Sequence, residues 1–367
     1  MKHTLFLSIL IFSSALISSC QPAPTRLFVG GFTKQPGEKG MSIFDFTADG
    51  EMNLVSQSDV GPNPSYFCFS TGNNLLYVAN EVNVFNGTRG GGLTTYKYSE
   101  EFASLEKQNE MAIPYGGPCF ISMSPDSGFL FLANYPNGSV VTVRLDDDGI
   151  PEAIADTILY VRDNPRVSHA HMILNDPSGK KIFVTDLGLN RIIIYNFDTN
   201  AGKLIPVDTL MVPNGFGPRH FDFSRDGSML YLINELGSKI TVFSLKGEEP
   251  ELIQTLSTLR EGFDKESFCA DIHMSQDGKY IYGSNRGENT IVTFAVQSDG
   301  TLKLTGHTPC GGNWPRKFVL DPSGRFLLVG NQRSDSVAVF RLDKKNGLPL
   351  EPARKYKVTA PVCLKFY

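Results

Sequence analysis

Five ionisable side chains sit at matched positions of a repeated strand pattern: His171, Arg219, Glu235, Arg286 and Arg316. Arginine forks grip a carboxylate or phosphate through two parallel hydrogen bonds. Histidine and glutamate are the usual proton carriers. Brought to one place, three arginines, a histidine and a carboxylate would bind an anionic ligand and move a proton on it. The competing role for such charges is mutual pairing that braces the fold. Bracing alone would not confine them to one sector of a repeat architecture.

The repeat does confine them. Six segments share one pattern of strand, tight turn and strand, starting at Asn63, Gly117, His169, Gly217, Phe268 and Trp314. Aligned on their second residue, they place Pro64, Pro118, Ala170, Pro218, Cys269 and Pro315 in phase, at spacings of 46 to 54 residues. Sixteen residues further on stand Asn80, Asn134, Asp186, Asn234, Asn285 and Asn331. That register never slips, so the hairpin is the rigid part and the loops beyond it absorb the variation. Turns such as Ser124-Pro125-Asp126-Ser127-Gly128 supply the backbone angles a short hairpin needs. A third strand rich in β-branched and aromatic residues follows, as in Ser139–Leu145 and Arg191–Phe197. A polar turn then leads to a fourth. Four strands at this period predict propeller blades.

Seven blades result if the ends are joined. Leu27 to Phe46 supplies a second and third strand with no first, and the C-terminal stretch from Ala360 to Tyr367 reads as a lone first strand with Pro361 in phase. The expected fold is therefore all-β: a seven-bladed propeller of four-stranded blades, with the terminal blade closed by both chain ends so that no edge is left unpaired. No second domain is expected.

The start of strand one and the end of strand two then meet at one mouth of the channel. One place after the phase position stand Ser65, Cys119, His171, Arg219, Ala270, Arg316 and Val362. Seventeen places after it stand Glu81, Tyr135, Leu187, Glu235, Arg286 and Gln332. The five charged candidates fall in four adjacent blades. Asn234, Asn285 and His220 join Arg316 as expected substrate contacts. Strand alternation would turn several of His220, Asp222, Asp271 and His273 into the blade interfaces, which ranks them lower.

The bulk composition narrows the partners. A hydrophobic content of 41% can bury a large core, and a net charge of −4 argues against a nucleic-acid surface. Asp271-Ile272-His273 and His169-Ala170-His171 lack the accompanying spacing of a metal site. No metal and no cofactor is expected. Five cysteines outside the leader show no pairing rhythm, which reads as buried thiols.

The leader is separate. Lys2 precedes an apolar run from Leu5 to Ile17 that is too short to span a bilayer. Ile17-Ser18-Ser19-Cys20 follows and resembles a bacterial lipoprotein box. Residues 1–19 are thus read as a signal peptide, residues 20–26 as a tether lipidated at Cys20, and residues 27–367 as the propeller. This predicts export and a membrane contact made only through the lipid, at the periplasm or cell surface.

Three motifs carry a family resemblance: Gly217 to His220 with Asn234 to Leu236, Asp271 to Gly287, and Trp314 to Asp343. Together they resemble the propeller lactonases, the group of cycloisomerase-type 6-phosphogluconolactonases and carboxymuconate-lactonizing enzymes. The resemblance covers the chain beyond the tether. It implies hydrolysis of a sugar lactone, or the lactonizing cycloisomerase reaction, with His171, Arg219, Glu235 and Arg286 as catalytic residues. Either Glu235 or His171 would activate water, the arginines would stabilise the oxyanion, and Arg316 would hold an anionic group of the substrate. The implied partner is a small-molecule lactone or anionic sugar. 6-Phosphogluconolactone belongs to cytoplasmic metabolism, whereas the leader points outward, so an unphosphorylated lactone is an alternative. A surface-anchored, non-enzymatic propeller that binds carbohydrate, an acidic ligand or a protein is the other reading of the same features.

Overall fold

The computed structural model describes residues 25–160 and 167–367. Seven four-stranded antiparallel sheets form seven blades, with one small extra hairpin. We number the blades from the terminal one. Blade 1 takes its inner strand from the C-terminus, Pro361–Phe366, and its other three from the N-terminus, beginning with Thr25–Gly31. The inner strands of blades 2 to 7 are Pro64–Ser70, Pro118–Met123, Ala170–Asn175, Pro218–Phe223, Phe268–Met274 and Pro315–Leu320. Each inner strand touches both of its neighbours, and the seven contacts close a ring. The expected fold is the observed one. Its N-terminal boundary moves slightly: Thr25 and Arg26 pair with Phe46 and Asp45, so they belong to blade 1 and not to the tether.

The repeat phase reappears as strand register. Pro64 pairs with Asn80, Pro118 with Asn134, Ala170 with Asp186, Pro218 with Asn234, Cys269 with Asn285 and Pro315 with Asn331. The turn chemistry repeats too. The Ser124 hydroxyl donates to Asp126 at 2.6 Å and accepts from the Phe129 amide at 2.9 Å; Ser275 does the same with Asp277 and Tyr280.

Blades are tied by one recurring contact. Tyr77, Tyr231 and Tyr282 donate their hydroxyls to the carbonyls of Gly149, Gly300 and Gly347 in the next blade, at 2.7, 3.0 and 2.8 Å. Those glycines have φ of 83°, 91° and 72°, the left-handed region that side chains disfavour. Second strands are largely apolar and buried, as in Leu75–Asn80 and Phe129–Asn134, whereas outer strands such as Lys203–Met211 face water. Cys68, Cys119, Cys269, Cys310 and Cys363 are free and buried.

Candidate active site

A β-bulge builds the mouth. In every blade the register between inner and second strand shifts beside the phase position. Ser65, Cys119, His171, Arg219 and Arg316 are the residues left out of the ladder in blades 2, 3, 4, 5 and 7, and Val362 is left out in blade 1. A bulge sets two residues opposite one and re-aims side chains. Alternation therefore breaks where the sequence reading relied on it. Consecutive residues (Ser65 and Tyr66, Arg219 and His220, Arg316 and Lys317) line one void on the channel axis, together with Cys119 and His171. Its volume is about 10 Å³, room for one water. His220, ranked low for pointing into a blade interface, in fact faces this void.

The end of strand two supplies the opposing groups. The Glu81 amide donates to the Asn63 carbonyl at 2.9 Å, and the Glu235 amide makes the same bond to Gly217 at 2.7 Å. Gly217 sits at φ 66°, and a Cβ there would lie 2.8 Å from Leu236. This explains the glycine that opens the Gly217-to-His220 motif.

Charge is arranged in two layers. In the upper layer Glu235 bridges two arginines: its Oε2 lies 2.8 Å from Arg219 Nε and 3.0 Å from Arg286. Arg219 is 2% exposed and also donates to the Ala270 carbonyl, while Arg286 donates to the Cys269 carbonyl at 2.8 Å. Burial would raise the Glu235 carboxyl, but Arg286 and Arg219 outweigh it and hold it below its usual range. Burial pushes the Arg286 guanidinium down to about 10, still charged at neutral pH. Arg316 lies against the Phe32 ring and only 3.7 Å from Glu81. Trp314 is packed by Arg286 on one side and by the exposed Arg333, 3.3 Å from its ring centre, on another.

His171 is wedged between the rings of Tyr135 and His220, at centroid distances of 5.7 and 5.0 Å. Burial, then the positive field of Arg219, holds its imidazole well below the usual histidine value, so it is neutral at pH 7. Its Nδ1 has no hydrogen-bond partner among the described residues. A neutral, unpartnered imidazole beside a water-sized void has the form of a general base.

The lower layer lies one position further along the inner strands. Asp271 accepts from His220 Nδ1 at 2.8 Å, from His273 Nε2 at 2.9 Å and from Lys317 at 3.0 Å. Lys317 continues to the Tyr66 hydroxyl at 3.2 Å, crossing past blade 1. Burial opposes the Asp271 charge, yet Lys317 and His273 keep the carboxyl well below its normal range. Asp271 thereby fixes the His220 tautomer: Nδ1 carries the proton, and Nε2 turns toward Arg219, 3.5 Å away.

All five charged candidates thus reach one mouth. Asn234 and Asn285 do not act as expected. Neither has exposed surface, and their amides hold Thr241 with the Lys239 carbonyl, and Thr290 with the Thr258 carbonyl. They tie the blade together beneath the mouth, where a substrate cannot touch them. Cys20 and the leader lie outside the described residues. Asp271 was ranked low on alternation and Lys317 was missed; Asp271 is reached by His220 from blade 5 and by Lys317 from blade 7, contacts that spacing within one blade does not display. Glu81 was visible in phase but stood apart from the charged sector, two blades from Arg316 across the chain closure. A larger groove of about 900 Å³ opens between blades 6 and 7 and contains none of the mouth residues; its Tyr280 and Tyr282 hydroxyls are engaged by backbone carbonyls.

Fold and site together define a class: a closed propeller with a histidine, clustered arginines and buried carboxylates at one channel mouth. A family model described as "Lactonase, 7-bladed beta-propeller" matches residues 26–366, and the chain belongs to that family. It is 34% identical to the 6-phosphogluconolactonase of Formosa agariphila, over 88% of this chain and 93% of that one. It is 28% identical to the 6-phosphogluconolactonase of Bacillus subtilis, over 92% and 97%. A periplasmic gluconolactonase of Pseudomonas aeruginosa superposes with a TM-score of 0.86 at 29% identity, covering 93% of this chain and 98% of that one. The protein is accordingly a lactone hydrolase, and the reading as a non-enzymatic binding propeller gives way. No helix among the described residues is long and apolar enough to cross a membrane.

Proposed function

We propose that the mouth opens a sugar lactone of the gluconolactone type by direct attack of water. His171 takes the proton from water as its oxygen bonds the lactone carbonyl carbon. Arg219 and Arg286 stabilise the oxyanion, a contribution worth about 3–4 kcal/mol per well-placed donor. Glu235 does not carry protons in this scheme; it holds the two arginines at a fixed spacing. Arg316, the least committed of the three arginines, receives an anionic or hydroxylated end of the substrate. The observation that carries the reading is His171: buried, neutral, with a free nitrogen beside Arg219.

The net charge of the mouth favours an anion. Arg219, Arg286 and Arg316 contribute three positive charges against the two of Glu81 and Glu235 if both are ionised. The leader and the periplasmic relative support export and an unphosphorylated substrate; the two relatives named for 6-phosphogluconolactone support a phosphorylated one. Proton release should be followed on glucono-δ-lactone and on 6-phosphogluconolactone, with the wild type and His171→Asn. Turnover of at least one by the wild type is expected, falling about a hundredfold or more in the variant. No turnover above the uncatalysed rate on either lactone would overturn the proposal.

A further inference from the structure

The mouth holds two carboxylates, and their surroundings differ in kind. Glu235 is gripped by two guanidinium groups at 2.8 and 3.0 Å. Glu81 meets one, Arg316, at 3.7 Å, beyond hydrogen-bond reach. Its side chain is 24% exposed, but the oxygen nearest Arg316, Oε2, is shielded from solvent and has no hydrogen-bond partner among the described residues. A carboxylate kept only to neutralise Arg316 would close that gap, as Glu235 does with both of its arginines. The end of the side chain instead lies beside Ser65, one of the residues lining the void. His171 approaches the same void from blade 4, with Cys119 of blade 3 between them.

We propose that Glu81 is the general acid of this site, donating a proton to the ring oxygen of the lactone as the carbonyl-carbon-to-oxygen bond breaks. The assignment rests on the lactone-opening reading above. Water bonds to the carbonyl carbon and gives its proton to His171. The tetrahedral intermediate then collapses: the ring C–O bond breaks, its electron pair goes to the ring oxygen, and that oxygen takes the Glu81 proton. The product is a hydroxy acid. His171 returns its proton to solvent, Glu81 regains one, and no other reactant is required. Burial favours the protonated form of Glu81 against the pull of Arg316, the condition a proton donor needs. Two carboxyl groups in one site with opposite protonation tendencies divide the work: Glu235 positions, Glu81 donates.

The test is steady-state kinetics of the full chain on whichever lactone the wild type opens. Activity that needs protonated Glu81 falls as pH rises through its pKa. Glu81→Gln should lose this high-pH limb, with kcat lower by about a hundredfold or more and KM changed little. Glu81→Asp keeps a carboxyl on a shorter stem and should retain the limb at reduced kcat, which covers the case in which the Gln variant folds poorly. A Glu81→Gln enzyme with kcat within about threefold of wild type, or one in which only KM moves, would mean that Glu81 merely balances Arg316. If the wild type opens no lactone, the functional reading itself falls; if it does and Glu81→Gln matches it, this assignment alone falls.

Discussion

Two histidines at the channel axis, His171 and His220, are held neutral by burial and by Arg219. Each would titrate near 6.5 in the unfolded chain. Below that pH the unfolded state binds protons that the folded state refuses, so stability falls as pH drops through 6.5 toward the depressed folded values. The expected slope is about 1.4 kcal/mol per pH unit for each histidine once the unfolded form is fully protonated. Urea unfolding from about pH 7.5 to about pH 5 measures it, and His171→Asn should remove one histidine's share of the slope. An equal slope in the variant would mean that His171 is charged in the folded protein. The carboxylate beneath them acts with the same sign, at lower pH. Asp271 is kept ionised by Lys317 and His273, and its contribution is lost only in strong acid, as pH falls through its depressed pKa.

At the scale of the strand pair, the bulge beside the phase position is the device that makes a site. It spares Arg219 and Arg316 the regular ladder and lets their guanidinium groups turn to the axis, with His220 and Lys317 following on the same side. The tight turns hold the other end of each blade. Gly347 combines a φ of 72° with a Tyr280 ring atom 2.7 Å from where a Cβ would sit. Gly37 has φ 82° and open space around it. Gly37→Ala should therefore cost only backbone strain, about 1 kcal/mol, and Gly347→Ala about 2 kcal/mol or more, since the neighbouring ring must also move. Equal losses in urea melts would show that the blade contact at Gly347 is loose.

For the whole molecule, the closure of blade 1 decides which end of the propeller faces where. Strand Thr25–Gly31 ends at the mouth, where Gly31 pairs with Pro361 and its amide reaches the Gly40 carbonyl. Its start at Thr25 therefore lies at the opposite, turn-bearing end. A lipid on Cys20, five residues before Thr25 in the chain, would hold the turn end to the membrane and leave the mouth open to solvent. Cys20→Ser should then move the protein from the membrane fraction to the soluble fraction with kcat unchanged. Retention in the membrane fraction would exclude a lipid at Cys20 as the anchor, and a large drop in kcat would contradict the orientation.

Much of this was legible in the chain. Blade number, the phase of each hairpin, the closure by both ends and the mouth position of His171, Arg219, Glu235, Arg286 and Arg316 all follow from a repeat whose period is local. Turn residues and strand propensity act over a few positions, so a single chain displays them. The tertiary structure decided which of these groups remain free to react. Asn234 and Asn285 have the right phase but are consumed by their own loops. His220 has the wrong parity yet reaches the axis, because a bulge cancels alternation. Glu81 and Arg316 stand 235 positions apart in the chain, and they meet only because the ring closes. Whether a charge is clamped, as Glu235 is, or left with a distant partner, as Glu81 is, depends on distances between blades, and electrostatic energy at these separations changes within an ångström. Spacing along the chain carries no record of that distance.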